Sequence, residues 1–129
     1  MKNKQNAQIK HFQDEVLKYL DLFGLGRWSV KWENWNAVVA DNPDFEDAAA
    51  AACNNTGSRL AKFSVNPTVI ADKSDTYISR CALHEVTHVL TARLEDYAYA
   101  VKADSEAVSE ETEAIAKAME RAFFGPVDM

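Results

Sequence analysis

Apolar residues recur with helical spacing at the start of the chain. Ile9, Phe12, Val16, Leu20 and Phe23 fall on one stripe, while Lys10, Gln13, Asp14 and Lys18 lie mostly off it. The pattern predicts a helix over 5–23, ended by Gly24 and Gly26. The period then changes. In "RWSVKWENW", Trp28, Val30 and Trp32 alternate with Ser29, Lys31 and Glu33, as in a half-buried strand. The tryptophans, Trp35 included, could form a stacking platform, but core packing is the ordinary use of Trp28 and Trp32. Turn chemistry at Asn42-Pro43 follows.

The run "AAAAACNNTG", from Ala48 to Gly57, favours helix on propensity. It lies between turn signals, however, and "RLAKFSVNP" after it alternates like a strand. The segment 46–53 is therefore expected to be a strand, joined by a hairpin at "NNTGS" to the next. Asn66-Pro67 ends that second strand. A long helix is predicted from about Thr76 to Arg93, with Asp75 as a candidate N-cap. "LEDYAYAVKAD" is ambiguous. Asp104 or Ser105 can cap a last helix running to Phe124, stopped by Gly125-Pro126. The resulting fold class is α+β: an N-terminal helix, a small antiparallel sheet of about three strands, and two further helices in one domain, 1–129.

Composition narrows the function. The chain has 129 residues and a formal net charge of −6, long enough for an ordinary core. Its acidity argues against nucleic acid as the main partner, which would need clustered Lys and Arg. The polar N-terminus does not read as a secretory signal. No apolar run approaches the ~20 residues of a membrane span. Two cysteines, Cys53 and Cys81, lack metal-ligand spacing. A cytoplasmic protein with reduced thiols is the expectation.

The chemistry concentrates in "ALHEVTHVL", residues 82–90. On a helix, His84 and His88 lie one turn apart on one face and can aim both imidazoles at one point. Glu85 is offset about 100° from His84 and about 60° from His88, which puts its carboxylate beside an ion held there. Leu83, Val86 and Leu90 form an apolar stripe on the other side, with Ala82 and Val89 at its edges. By average composition His-Glu-x-x-His arises by chance in under about 1% of chains this long. A third ligand is the sharper test, because catalytic zinc usually has three protein ligands and one open position.

No H-x-x-G-x-x-H extension follows, so the third ligand is sought among the glutamates of "SEAVSEETEAIAKAMERAF". Val108, Ile115, Met119 and Ala122 cluster within about 40° of one direction on the helical wheel, and Glu111 falls in the same cluster, one turn before Ile115. Glu106, Glu110 and Glu113 point about 140° or more away. An acid on an apolar stripe needs a partner, and a metal ion is one. Glu111 is thus the expected third ligand and Glu113 the alternative. Cys81 is a weaker candidate, and the third histidine, His11, reads as a surface residue.

HEVTH followed by a glutamate on a second helix resembles the gluzincin metallopeptidases, and within them the small minigluzincin and phage-encoded metallopeptidase-like domains. The similarity extends loosely to the order of elements, but the N-E-x-x-x-D form around the third ligand is absent. The resemblance implies a Zn2+ cofactor and a peptide or protein substrate. It also implies hydrolysis of peptide bonds with Glu85 as general base, and an extended substrate added beside residues 46–53. Tyr97 or Tyr99 could supply an oxyanion donor, although packing or surface exposure is the commoner use of each. Two other readings compete: a zinc-stabilised domain of the same type that binds a protein partner and cleaves nothing, and a metal-free helical interaction protein.

Overall fold

The N-terminal stripe becomes helix α1, Lys2–Leu22. The computed structural model describes residues 2–126. Phe12, Val16, Tyr19 and Leu20 of α1 are buried against α4, Asp75–Ala100. α4 contributes Ile78, Ala82, Leu83, Val86 and Val89 to the same core. Burying such side chains is worth about 1.5–3 kcal/mol each, so this helix pair is the main support of everything α4 carries. Leu90, expected on the stripe, is 43% exposed, and the buried line runs through Val89 instead.

The fold class is α+β as expected. Strands β1 (Ser29–Trp32), β2 (Ala50–Asn55) and β3 (Leu60–Val65) form one sheet in the order β1-β3-β2. β2 and β3 are antiparallel, with Ala50 opposite Val65 and Asn55 opposite Leu60. The expectation of an antiparallel sheet fails for the other pair: β1 runs parallel to β3, with Ser29 opposite Leu60 and Trp32 opposite Phe63. The reason is topological. Helix α2 (Trp35–Asp41) and a 3-10 turn (Pro43–Phe45) reverse the chain after β1, and the hairpin reverses it again. β3 takes the central place because Ala61, Phe63 and Val65 all bury into the core. Trp28, Val30 and Trp32 alternate inward as predicted and pack against it.

β2 begins four residues later than expected and includes Asn54 and Asn55. The hairpin turn follows them, with Asn55 Oδ1 accepting from Ser58 N at 3.1 Å. This Asx-type bond explains why the asparagines close the strand rather than form the loop. Residues 46–49 are instead held by buried Asn66. Its Nδ2 donates to the carbonyls of Glu46 (3.1 Å) and Ala48 (3.0 Å), and its backbone N–H donates to Ala49 O. Asn66 also caps the short helix α3, Pro67–Ile70. One residue therefore fixes the entry to β2, an edge strand of the sheet.

α4 is capped by Ser74, whose Oγ accepts from Tyr77 N, rather than by Asp75. It continues through the ambiguous segment to Ala100. Lys102, at φ 60°, ends the run. Asp104 then caps α5, Ser105–Phe124, accepting from the N–H groups of Glu106 and Ala107. The short connection folds α5 back along α4. No helix among the described residues is long and apolar enough to cross a membrane.

Candidate metal centre

The face of α4 opposite the core carries the two histidines. His84 Nε2 and His88 Nε2 lie 3.3 Å apart, as the one-turn spacing predicts. The third member of the group is Glu113 of α5. Its Oε2 lies 3.2 Å from His84 Nε2 and its Oε1 2.9 Å from His88 Nε2. These three residues form a group that could hold a metal ion.

Glu111, the expected ligand, is not in this group. It is exposed and lines a separate apolar hollow with Leu94, Ala98 and Ile115. The expectation weighed the large apolar residues of α5, but the helix meets α4 through small ones. Thr112 and Ala116 are its buried residues, whereas Ile115 is 37% exposed. Two residues along a helix is about 200°, so turning Glu111 outward turns Glu113 inward.

A second carboxylate belongs to the site and carried no signal of its own. Glu120 Oε2 lies 2.8 Å from His84 Nδ1. Seven residues bring a helix back to within about 20°, so Glu113 and Glu120 share a stripe, with Ala116 between them. With Nδ1–H donating to Glu120, loss of the other ring proton would leave the Nε2 lone pair of His84 aimed at Glu113 and His88. A ligating imidazole requires that tautomer.

The donor set fits a metal. Bonds of about 2.0–2.1 Å in a tetrahedron put neighbouring ligand atoms about 3.3–3.4 Å apart; the two Nε2 atoms lie 3.3 Å apart, while Glu113 meets them through different carboxylate oxygens, one donor atom from each of the three residues lying within 4.8 Å of the others. Two imidazole lone pairs at 3.3 Å repel unless a cation or proton lies between them. The electrostatics agree. Burial disfavours the imidazolium of His84, yet the bond to Glu120 and the charges of Glu85 and Glu113 outweigh it, holding His84 up to about 9. Burial and the His84 charge push His88 below its ordinary value. One cation between the rings is the state the carboxylates favour.

Glu85 lines the same cleft, a cavity of about 500 Å³ whose other wall is β2 from Ala50 to Asn54. Burial, with the charges of Glu113 and Glu120, pushes its carboxyl up to about 7 against the pull of His84. Such a carboxyl can both take and return a proton near neutrality. The hairpin tip closes one end of the cleft, where Thr56 Oγ1 donates to Asp96.

The remaining sequence candidates fall outside the group. Cys81 is not one of the three residues of the group, and burial with the charges of Glu85 and Glu120 pushes its thiol up to about 12. Cys81 and Cys53 are both free. Tyr97 and Tyr99 are 65% and 45% exposed and do not line the cleft. His11 is half-buried and tied to α4 through Ser79 Oγ at 3.0 Å.

Comparison with family models, with curated proteins and with solved structures yields no match to this chain.

Proposed function

We propose that this chain is a small zinc-dependent peptidase of the gluzincin type, with His84, His88 and Glu113 as metal ligands and Glu85 as general base. The observation that carries this reading is the convergence of those three residues, one donor atom of each within 4.8 Å of the others, beside the Glu85 carboxyl in a strand-walled cleft. Two imidazoles and one carboxylate suit zinc. When bound, the ion supplies a Lewis acid and lowers the pKa of a water.

The chain's own residues do the rest. The Glu85 carboxylate takes a proton from the attacking water and delivers it to the leaving amine nitrogen. Glu120 holds the His84 ring through Nδ1. β2 is the edge strand that lines the cleft, and an extended peptide can add to its unpaired main-chain groups. Its alanines, Ala50–Ala52, leave room for the substrate's side chains.

The test is elemental analysis of purified protein together with turnover of unstructured peptides by Glu85→Gln. The expected result is one zinc per chain in both proteins and loss of hydrolysis in the variant alone. Protein that refuses zinc on reconstitution removes the metal reading. Full zinc occupancy with no hydrolysis by the unaltered chain removes the peptidase reading and leaves a metal-stabilised binding domain.

A further inference from the structure

One turn before His84 on α4, Arg80 is only 4% exposed. A buried guanidinium is costly unless paired, and it carries five N–H donors in a fixed fork. Among the described residues the structure accounts for one: Nη2 donates to Gly125 O, at the end of α5. The ring of Phe124 lies 5.3 Å from the guanidinium carbon. The Nε atom is buried without a partner. No carboxylate among the described residues lies within ion-pair distance of Arg80.

Arg80 also lines a cavity of about 370 Å³, distinct from the cleft along β2, together with Tyr77, Cys81, His84, Glu85 and Glu120. This cavity therefore touches His84, Glu85 and Glu120 as well as a buried cation that has no anion partner among the described residues. His84 and Glu85 border both spaces. A ligand lying along β2 past the ion can thus extend into the second cavity.

We infer that this second cavity is a carboxylate-binding subsite, in which Arg80 holds an anionic group of the bound peptide while the adjacent amide lies at the metal centre. The role as a substrate subsite rests on the peptidase reading; the capacity to bind a carboxylate does not. With Nε buried and Nη2 bonded to Gly125 O, a charge-assisted hydrogen bond from the remaining guanidinium N–H groups is the contact Arg80 can offer a carboxylate. The carboxylate can be the free terminus of a peptide or the side chain of Asp or Glu.

The experiment separates these sources and the two readings. N-acetyl-leucine, N-acetyl-leucinamide and N-acetyl-glutamic acid α-amide are titrated into the full chain, as purified and after zinc loading. The readouts are calorimetry and the Nε–Hε resonance of Arg80. The expected result is that at least one acid binds about tenfold to a hundredfold more tightly than the leucinamide, with a shift of that resonance. Preference for acetyl-leucine assigns a terminal carboxylate; preference for the glutamic acid amide assigns a side chain. Arg80→Met should abolish the preference and Arg80→Lys should keep part of it. Equal binding of acids and amide overturns the inference, as does acid binding that leaves the Arg80 resonance unmoved. The titration on unaltered protein decides the matter even if both variants misfold. A chain that hydrolyses nothing but still selects the acids refutes the peptidase while leaving the carboxylate site standing.

Discussion

Glu120 should control metal affinity without touching the metal. His84 and Glu120 side chains are 19% and 15% exposed, and their contact is 2.8 Å, so little solvent screening applies. A charge-assisted hydrogen bond contributes about 1.5–3 kcal/mol, against about 0.5–1.5 for a neutral one. Glu120→Gln keeps an acceptor for Nδ1–H and loses the charge, for an intrinsic loss of about 1–1.5 kcal/mol, or roughly tenfold in affinity. Glu120→Ala removes the acceptor and frees the ring to change tautomer, for about tenfold to a hundredfold. A second effect opposes these. Glu120 helps hold the unmetallated His84 up to about 9, so at pH 7 a metal must displace a proton from it, and apparent affinity should rise with pH until about 9. Removing Glu120 weakens this competition. The deficit of both variants should therefore be smaller at pH 7 than at pH 9.5. Competition against a chromogenic zinc chelator at the two pH values measures all of this, with circular dichroism as the check on folding. A Glu120→Ala protein that is folded and binds zinc within twofold of the unaltered chain at pH 9.5 refutes the assigned role.

Other substitutions test how the site is assembled. Glu113→Gln should weaken zinc binding more than Glu120→Ala does, while Glu111→Gln, on the outer face, should leave it within twofold; a reversed order in the same competition assay would restore the apolar-stripe ligand. Ala116→Leu places a large side chain at the α4–α5 contact, where Ala116 is fully buried. It should cost about 1–3 kcal/mol in denaturant unfolding and weaken zinc binding by displacing Glu113, and an unchanged midpoint would mean that α5 is free to move away. Glu15 concerns acid stability: burial raises its carboxyl, but hydrogen bonds from Ser79 and Lys18 outweigh that and hold it below the ordinary range. A depressed folded-state pKa gives stability that is present above the unfolded value and lost as pH falls through the folded one. Ser79→Ala should therefore cost about 1–2 kcal/mol at pH 7, a gap that narrows in unfolding curves taken below about pH 4 and whose constancy down to pH 3 would contradict the argument.

What was legible before the structure follows from the range of the interactions involved. The paired imidazoles depend only on helical periodicity within five residues, and periodicity alone placed His84, Glu85 and His88 correctly. The alternation of Trp28, Val30 and Trp32 likewise reports which face of β1 is buried. The direction of β1 relative to β3 depends on how the chain turns between Glu33 and Ala49, where α2 and a 3-10 turn intervene, and no local pattern encodes it. The start of β2 was misplaced for a related reason. The residues before it are held by Asn66, about twenty positions away, through side-chain bonds that leave no periodic trace.

The third ligand shows where wheel arguments fail. A large apolar stripe marks the face of a helix that is greasiest, but an ion held between two helices needs their backbones close, and closeness selects small residues. Val108, Ile115 and Met119 pointed one way; Thr112 and Ala116 set the actual contact. The stripe that matters instead holds two glutamates seven residues apart, Glu113 and Glu120, with Ala116 between them, and it gains its meaning only from the helix it faces. Seven residues separate them by about 10.5 Å along the helix, and one group on the neighbouring helix can engage both. His84 does so through its two ring nitrogens, one at 3.2 Å from Glu113 and the other at 2.8 Å from Glu120. The imidazole that would bind the metal is thus clamped from both edges by α5, and neither carboxylate can be explained without the other.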